Sequence, residues 1–589
     1  MEEKYNWNLE DIFKNNEEFE ESQKKLKEKL EKIGYFQNKL EESSKNIYEC
    51  YKTYEEALEI YEKIYAYGML KFHLDMAESE NIKLYKKVEA IGTDFEKQTS
   101  FITPEITKIK DEKILKFIEE NQDLKRYERI LKEILKNKKH ILSGEEEKLL
   151  ANYSEVLNNM ENTYDILTNT EFKFGKLKDE DGKEVTLTDA TYTLYLKSKD
   201  RSVRRQAFEL MYKKYKEFLN TIGELYLGKV KESTITSRLR KYSSSLEKAV
   251  DNDDSSIKVY EALINTINKK MEVNHQFLEL KKELLDLDEM HLYDIYVNPI
   301  QIEKDKISFE DAQKEVLEAL SILGEEYQNK LKEAFENRWI DVFEKPNKRG
   351  GAYSMGVYGV HPYVLTNFVN EKRDVSTIAH ELGHSMHSYY SSQSQNVIDS
   401  NYTIMVAEVA STVNEILLSK YQIEKETNNV KKAEIIYELL EMIRATLFRQ
   451  AMFAEFEKEV HNKIESGEMI SAEDMSKLYY ELNKKYFGNS TVIDEEIQYE
   501  WARIPHFYTP FYVYKYSTGI SAAIVIASNI LDKKDGYVQK YIEMLKQGCT
   551  KKSIDLLKMV DVDLENESTY ERAIEFYEEN IEELKKLIK

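Results

Sequence analysis

Cysteine is nearly absent from this chain: two residues in 589, Cys50 and Cys549. That excludes a disulfide framework and a thiolate metal site, and it suits a reducing compartment. Proline (6) and glycine (19) are also scarce, while 33% of residues are charged. Both residues weaken helix interiors, so their scarcity predicts a mostly α protein. Long apolar runs are missing as well. The longest, AAIVIA at 522–527, is too short to span a bilayer, and MEEKYNWNLEDIF at the N-terminus has no signal-peptide pattern. These absences predict a soluble, cytoplasmic protein with no membrane partner. A net charge of −23 leaves no cationic surplus for a phosphate backbone, so nucleic acid is not an expected partner.

What is present is length and periodicity. A chain of 589 residues exceeds one compact core and predicts two or more domains. Apolar residues recur at three- and four-residue intervals from about residue 8 to 170, the pattern of successive amphipathic helices. His73 lies on one such apolar face, where a structural role is expected. Around 171–188 the period changes to alternation about Asp181-Gly182, which predicts a β-hairpin. Helical patterns resume near Thr191 and run past 340, with loops at 251–256 and 296–308. A division near residue 190 therefore separates an N-terminal helical region (1–190) from a C-terminal domain (191–589). RGGAYSMGVYGVHPYVLTNFVN at 349–370 reads as short strands joined by a turn at His361-Pro362. A small sheet thus precedes the next helix, which Asp374 or Ser376 would cap.

That helix carries STIAHELGHSMHSYYSS (376–392). Only 10 histidines occur in the chain, and three of them, His380, His384 and His387, fall within eight positions here. HELGH fits H-E-x-x-H. Residues four apart share a helix face, so His380 and His384 can present two nitrogens to one metal ion. Glu381, beside the first, can accept a proton from a water on that ion. Imidazole and carboxylate ligands with an open position suit one Zn²⁺ per chain. Gly383 costs the helix about 1 kcal/mol relative to Ala and so calls for a packing reason, such as close approach of another backbone.

A third ligand is needed. The metzincin continuation would place Gly at 387 and His at 390, but this chain has His387 and Tyr390, which excludes that class. Glu408 lies in the following helical stretch, flanked by Ala407, Ala410 and Ser411. A carboxylate among such small residues is costly to bury unless it meets a charge, so Glu408 is the expected ligand. His387 is the rival; three imidazoles spanning two turns would be stretched, which favours a structural or substrate-contacting role for it. Glu415 either orients a ligand imidazole or is a surface carboxylate. In WARIPHFYTPFYVYKYSTG (501–519), Thr509-Pro510 resembles a helix start, which would align Tyr512 with Tyr516 just after His506. Such a stripe reads as core, or as the phenol and imidazole donors of a peptide-cleaving site.

Together these segments resemble the oligoendopeptidase F group of the thimet oligopeptidase family of zinc metallopeptidases. The resemblance rests on AHELGHSMHSYYS, AEVAST, GGAYSMGVYGVHPYVLTNF, ARIPHFYTPFYVYKYSTG and WNLEDIF, in that group's order. It implies a two-lobed helical zincin-type body with a deep substrate channel. It implies zinc on His380, His384 and Glu408, Glu381 as general base, and His506 with Tyr512 as transition-state contacts. Related members carry a further Tyr where this chain has Gly519, leaving Tyr514 or Tyr516 as the second phenol. By the same analogy a short peptide pairs with the strand at 352–358 or 363–368, so Gly351, Ala352, Tyr353, His387 and Tyr516 are the expected substrate contacts. Gly350-Gly351 is either a flexible approach to that peptide or a tight turn. The implied activity is hydrolysis of internal bonds in short peptides. A carboxypeptidase of similar fold and a helical peptide-binding protein with structural zinc are the alternatives.

Overall fold

The computed structural model describes residues 3–300 and 306–588, so residues 301–305 of the predicted 296–308 loop lie outside it. Helices dominate, as the composition predicts, and the few strands form three small sheets. Two compact units emerge, each assembled from separate stretches: Met1–Gly144, Lys304–Leu418 and Ile526–Asp561 in the first, and Glu145–Glu303, Ser419–Val525 and Val562–Lys589 in the second. The units are therefore interleaved along the chain. The two cysteines are far apart in sequence, and the Cys549 thiol donates to the Ile398 carbonyl. Among the described residues no helix is long and apolar enough to cross a membrane.

In the first unit, helices Asn16–Gly34, Ser44–Leu74 and Ser79–Thr99 pack along one another, and the first two are capped by Asn15 and Ser43. Their apolar faces share a core with a three-stranded sheet. The sheet consists of β1 (Ile340–Phe343), β2 (Tyr353–Met355) and β3 (Tyr363–Phe368), in the order β1-β3-β2. β1 runs parallel to β3, and β2 antiparallel to it with Tyr353 opposite Leu365 and Met355 opposite Tyr363. β2 is therefore an edge strand. The WNLEDIF stretch lies against this sheet: Trp7 meets Tyr363 edge-on at 6.1 Å, and the Tyr363 hydroxyl donates to the Asn8 carbonyl. β1 departs from the expectation of helix past 340. Four residues are too few to show a period, and their pairing partner lies more than twenty positions downstream.

In the second unit the hairpin forms as predicted, Lys176–Lys178 against Glu184–Thr186, with Gly182 at φ +75° in its turn. Asp179 accepts the backbone N–H groups of Asp181 and Lys183, a turn-stabilising pattern open to Asp. A two-stranded parallel ladder joins Met290–His291 to Thr491–Val492. Aromatic rings fill the interior, among them Tyr226, Phe456, Trp501 and Phe507.

Candidate active site

The helix carrying HELGH spans Lys372–Ser394. It starts earlier than the expected caps because Asp374 caps from within the first turn, its carboxylate accepting Glu371 N–H at 2.9 Å and Val369 N–H at 2.8 Å. One turn holds His380 and His384 side by side, their Nε2 atoms 3.2 Å apart. The next helix, Ile404–Lys425, brings Glu408 to them. Its Oε2 lies 3.6 Å from His380 Nε2 and 3.7 Å from His384 Nε2. Among the described residues this is the one group of His, Cys, Asp and Glu side chains able to hold a metal ion.

Gly383 makes that approach possible. A Cβ built on it would lie 2.5 Å from Ser411 Cα and 2.7 Å from the Ala410 carbonyl oxygen. The two helices thus touch backbone to backbone one turn from Glu408. Asn414 ties them further, donating to the Ala379 carbonyl at 3.0 Å while accepting from the Tyr327 hydroxyl at 3.1 Å. Glu415 is no free surface carboxylate: it takes His380 Nδ1 at 3.0 Å and the Ser376 hydroxyl at 3.0 Å. With Nδ1 donating to Glu415, a neutral His380 would offer its Nε2 lone pair to an ion between it and its two neighbours.

The donor set fits a small divalent cation. Ligands about 2.0–2.2 Å from a tetrahedral zinc lie roughly 3.3–3.6 Å from one another, close to the 3.2, 3.6 and 3.7 Å found. The electrostatics point the same way. Burial alone would lower His380, but Glu415, Glu381 and Glu408 outweigh it and raise its pKa to about 9. Burial and the neighbouring His380 hold His384 down to about 4. The surrounding carboxylates thus favour positive charge here, which a bound metal ion would supply. Glu381 is buried at 6% exposure; burial raises its carboxyl to about 7, with His380 opposing and Glu408 and Glu415 reinforcing.

His387 stands outside the ligand group. Its ring is 1% exposed and stacks on Tyr402 at 3.6 Å, and its Nδ1 has no hydrogen-bond partner among the described residues. β2 is fastened to the HELGH helix through Ser354 and Ser385, whose hydroxyls are 2.8 Å apart. Gly351 needs its glycine, since it sits at φ +81°; its carbonyl and that of Arg349 are held by Asn367. Ala352 is half-buried beside it. The Tyr353 hydroxyl meets His73 Nδ1 at 2.8 Å, and Arg349 holds His73 Nε2 at 3.0 Å. His73 is thus a structural residue that orients a predicted substrate contact.

The second unit carries the other predicted group. His506 is exposed on the short turn Pro505–Tyr508; its Nε2 lies 3.3 Å from the Tyr516 hydroxyl, and its ring lies parallel to that of Tyr512 at 5.7 Å. Tyr514 turns the other way: fully buried, it donates to Asp253 at 2.9 Å. The expected helix start at Thr509-Pro510 is corrected, since the helix begins at Tyr514. Phe511 intervenes with φ +58°, a left-handed conformation unfavourable for a bulky residue. Glu457 accepts the Phe511 N–H at 2.6 Å, and the Phe511 ring packs on His461 at 4.5 Å. Glu457 and His461 were not among the expected site residues; they stand four apart, each directly after a buried apolar residue, Phe456 and Val460.

Comparisons with known proteins place the chain in a family. The model of the family described as Peptidase family M3 matches residues 194–576, and that described as Oligopeptidase F matches 105–174. Oligopeptidase PepF of Bacillus subtilis is 40% identical over 582 residues, covering 99% of this chain and 87% of the relative. An oligoendopeptidase F homolog of Borreliella burgdorferi is 36% identical, covering 99% and 98%. The crystal structure of oligoendopeptidase-F from Enterococcus faecium superposes with a TM-score of 0.74 at 30% identity, covering 97% of this chain and 99% of that one.

Proposed function

Since the chain belongs to peptidase family M3, we propose that it is a zinc-dependent endopeptidase that cuts internal bonds of short peptides. One observation carries this reading. Three lone-pair donors from two helices converge within 3.7 Å of one another, beside a buried carboxyl on the same turn. His380, His384 and Glu408 would hold the zinc, which when bound supplies Lewis-acid polarisation of the scissile carbonyl and of the attacking water.

The remaining steps belong to the protein. The peptide backbone pairs with the free edge of β2, held in place by the Ser354–Ser385 contact. Glu381 takes a proton from the attacking water as its oxygen bonds to the carbonyl carbon. The C–N bond then breaks, and Glu381 delivers that proton to the departing amine. The family resemblance assigns His506 and Tyr512 to the developing oxyanion, and Tyr516, whose hydroxyl lies 3.3 Å from His506 Nε2, would orient the imidazole. The scarcity of cysteine supports a reducing, cytoplasmic setting.

The test uses an internally quenched peptide blocked at both ends, with products read by mass spectrometry. Cleavage that a chelator abolishes and added zinc restores is expected. E381Q should retain zinc and lose at least about 10²- to 10⁴-fold in turnover. Turnover near wild type in E381Q defeats the general-base role. Cleavage only of peptides with a free C-terminus replaces endopeptidase with carboxypeptidase.

A further inference from the structure

A cavity of about 370 Å³ opens beside the end of β2, lined entirely by the first unit. Typical small-molecule sites occupy about 300–1,000 Å³, so this one has room for a long side chain. Its position ties it to the proposed chemistry. Met355, the last residue of β2, and Gly356 form one wall, and Ser388 of the HELGH helix forms another. Gly356 presses against Ser388 so closely that an added Cβ would lie 2.8 Å from the serine Cβ. Ser388 is four residues beyond His384, about 6 Å along the helix. A peptide lying on β2 therefore places a side chain here within about two residues of the bond being cut, at roughly 3.3 Å per residue.

The walls also declare a charge. Ser388 and Tyr402 spend their hydroxyls on each other at 2.7 Å. Glu62, from the helix Ser44–Leu74, is the one acid on the cavity wall. Its carboxylate accepts a backbone hydrogen bond from Tyr358, and no cation pairs with it among the described residues. The nearby basic side chains Lys63 and Arg126 act on Glu59 instead. Tyr61 and Tyr65 flank Glu62, offering ring faces along which an aliphatic stem can lie under a cationic head.

We propose that this cavity is a specificity subsite for a cationic side chain of the bound peptide, arginine or lysine, with Glu62 as its counter-charge. The proposal rests on the endopeptidase reading and deepens it. Burial raises the Glu62 carboxyl to about 7, against the Tyr358 hydrogen bond and with Glu59 adding repulsion. An incoming guanidinium or ammonium relieves that cost and favours the ionised form. Asp and Glu side chains would meet like charge and are disfavoured at the same position.

The experiment compares peptides blocked at both ends and identical except for arginine or citrulline at one position, scanned along the sequence. The wild type should favour arginine by about 10- to 100-fold in kcat/KM, with cuts at a fixed offset within two residues of it. In E62Q that ratio should fall towards unity, and E62K should prefer glutamate at the position. An arginine-to-citrulline ratio equal in wild type and E62Q overturns the proposal, as do cuts at positions independent of the arginine. Binding of the same peptides to E381Q and to E381Q/E62Q, read by fluorescence anisotropy, needs no turnover. Failure of the zinc-loaded wild type to cut any peptide defeats the peptidase reading. A binding preference for arginine present in E381Q and lost in E381Q/E62Q still upholds the subsite, and a preference unchanged by E62Q refutes it.

Discussion

Replacing Gly383 by alanine sets two effects against each other, and the structure decides which wins. In a helix interior Gly→Ala is worth up to about 1 kcal/mol in favour of folding. At this position, however, the new Cβ would stand 2.5 Å from Ser411 Cα, 2.7 Å from the Ala410 oxygen and 2.8 Å from Ser411 N. All three are backbone atoms, so no rotamer change relieves the contact. Ordinary contact begins at 3.4 Å, and the helices must part by about 1 Å, at an overpacking cost of about 1–3 kcal/mol. The net effect on the metal-free protein is a loss of about 0–2 kcal/mol.

The larger effect falls on the metal. Glu408 lies one turn from Ser411, and a parting of about 1 Å would stretch its 3.6 and 3.7 Å separations from the imidazoles beyond what one zinc can bridge. Zinc affinity should fall by at least 10- to 100-fold, the range seen when ligand-supporting residues are lost. Competition with a chromophoric chelator measures the affinity, and thermal melting of the metal-free protein measures the folding cost. Gly34, at a helix end with nothing within 4 Å of an added Cβ, is the control: G34A should hold or raise the melting midpoint. A G383A protein that melts higher and binds zinc within threefold of wild type would refute the steric reasoning.

Two further substitutions probe neighbouring features. E408A should lose zinc, whereas H387A should retain it and lose about 1–3 kcal/mol of stability from its buried stack on Tyr402; retention of zinc by E408A together with its loss from H387A, by atomic absorption, reverses the ligand assignment. Glu457 offers a pH test: it is fully buried, and burial raises its carboxyl to about 8 against the Phe511 hydrogen bond. Its folded pKa exceeds the unfolded 4.5, so its contribution to stability is full below pH 4.5 and is lost as pH rises towards 8, by up to about 3 kcal/mol at pH 7. E457Q keeps an acceptor for Phe511 and cannot ionise, so its melting midpoint relative to wild type should climb between pH 5 and 8, and a constant difference rejects the assignment.

Much of this protein was legible before any fold was seen, because the signals are local. Helical spacing alone places His380 and His384 on one face, alternation about Asp181-Gly182 makes a hairpin, and the strands on either side of His361-Pro362 need only their own pattern. The cost of Gly383 in a helix was visible too, as a question about what approaches it. Tertiary structure answered what depends on distant partners. β1 exists because β3 supplies its hydrogen bonds. Asp374 caps from within the helix because the backbone at Val369 and Glu371 turns back onto it. Tyr514 and Tyr516 look alike in sequence, yet one is committed to Asp253 and the other faces His506. Glu415 became the partner of His380 across two helices, and Glu457 the support of the strained Phe511 in the loop before these tyrosines. The two compact units likewise draw on stretches hundreds of residues apart. Periodicity records how a segment meets its surroundings, but which segment it meets is settled only when the chain closes its long-range contacts.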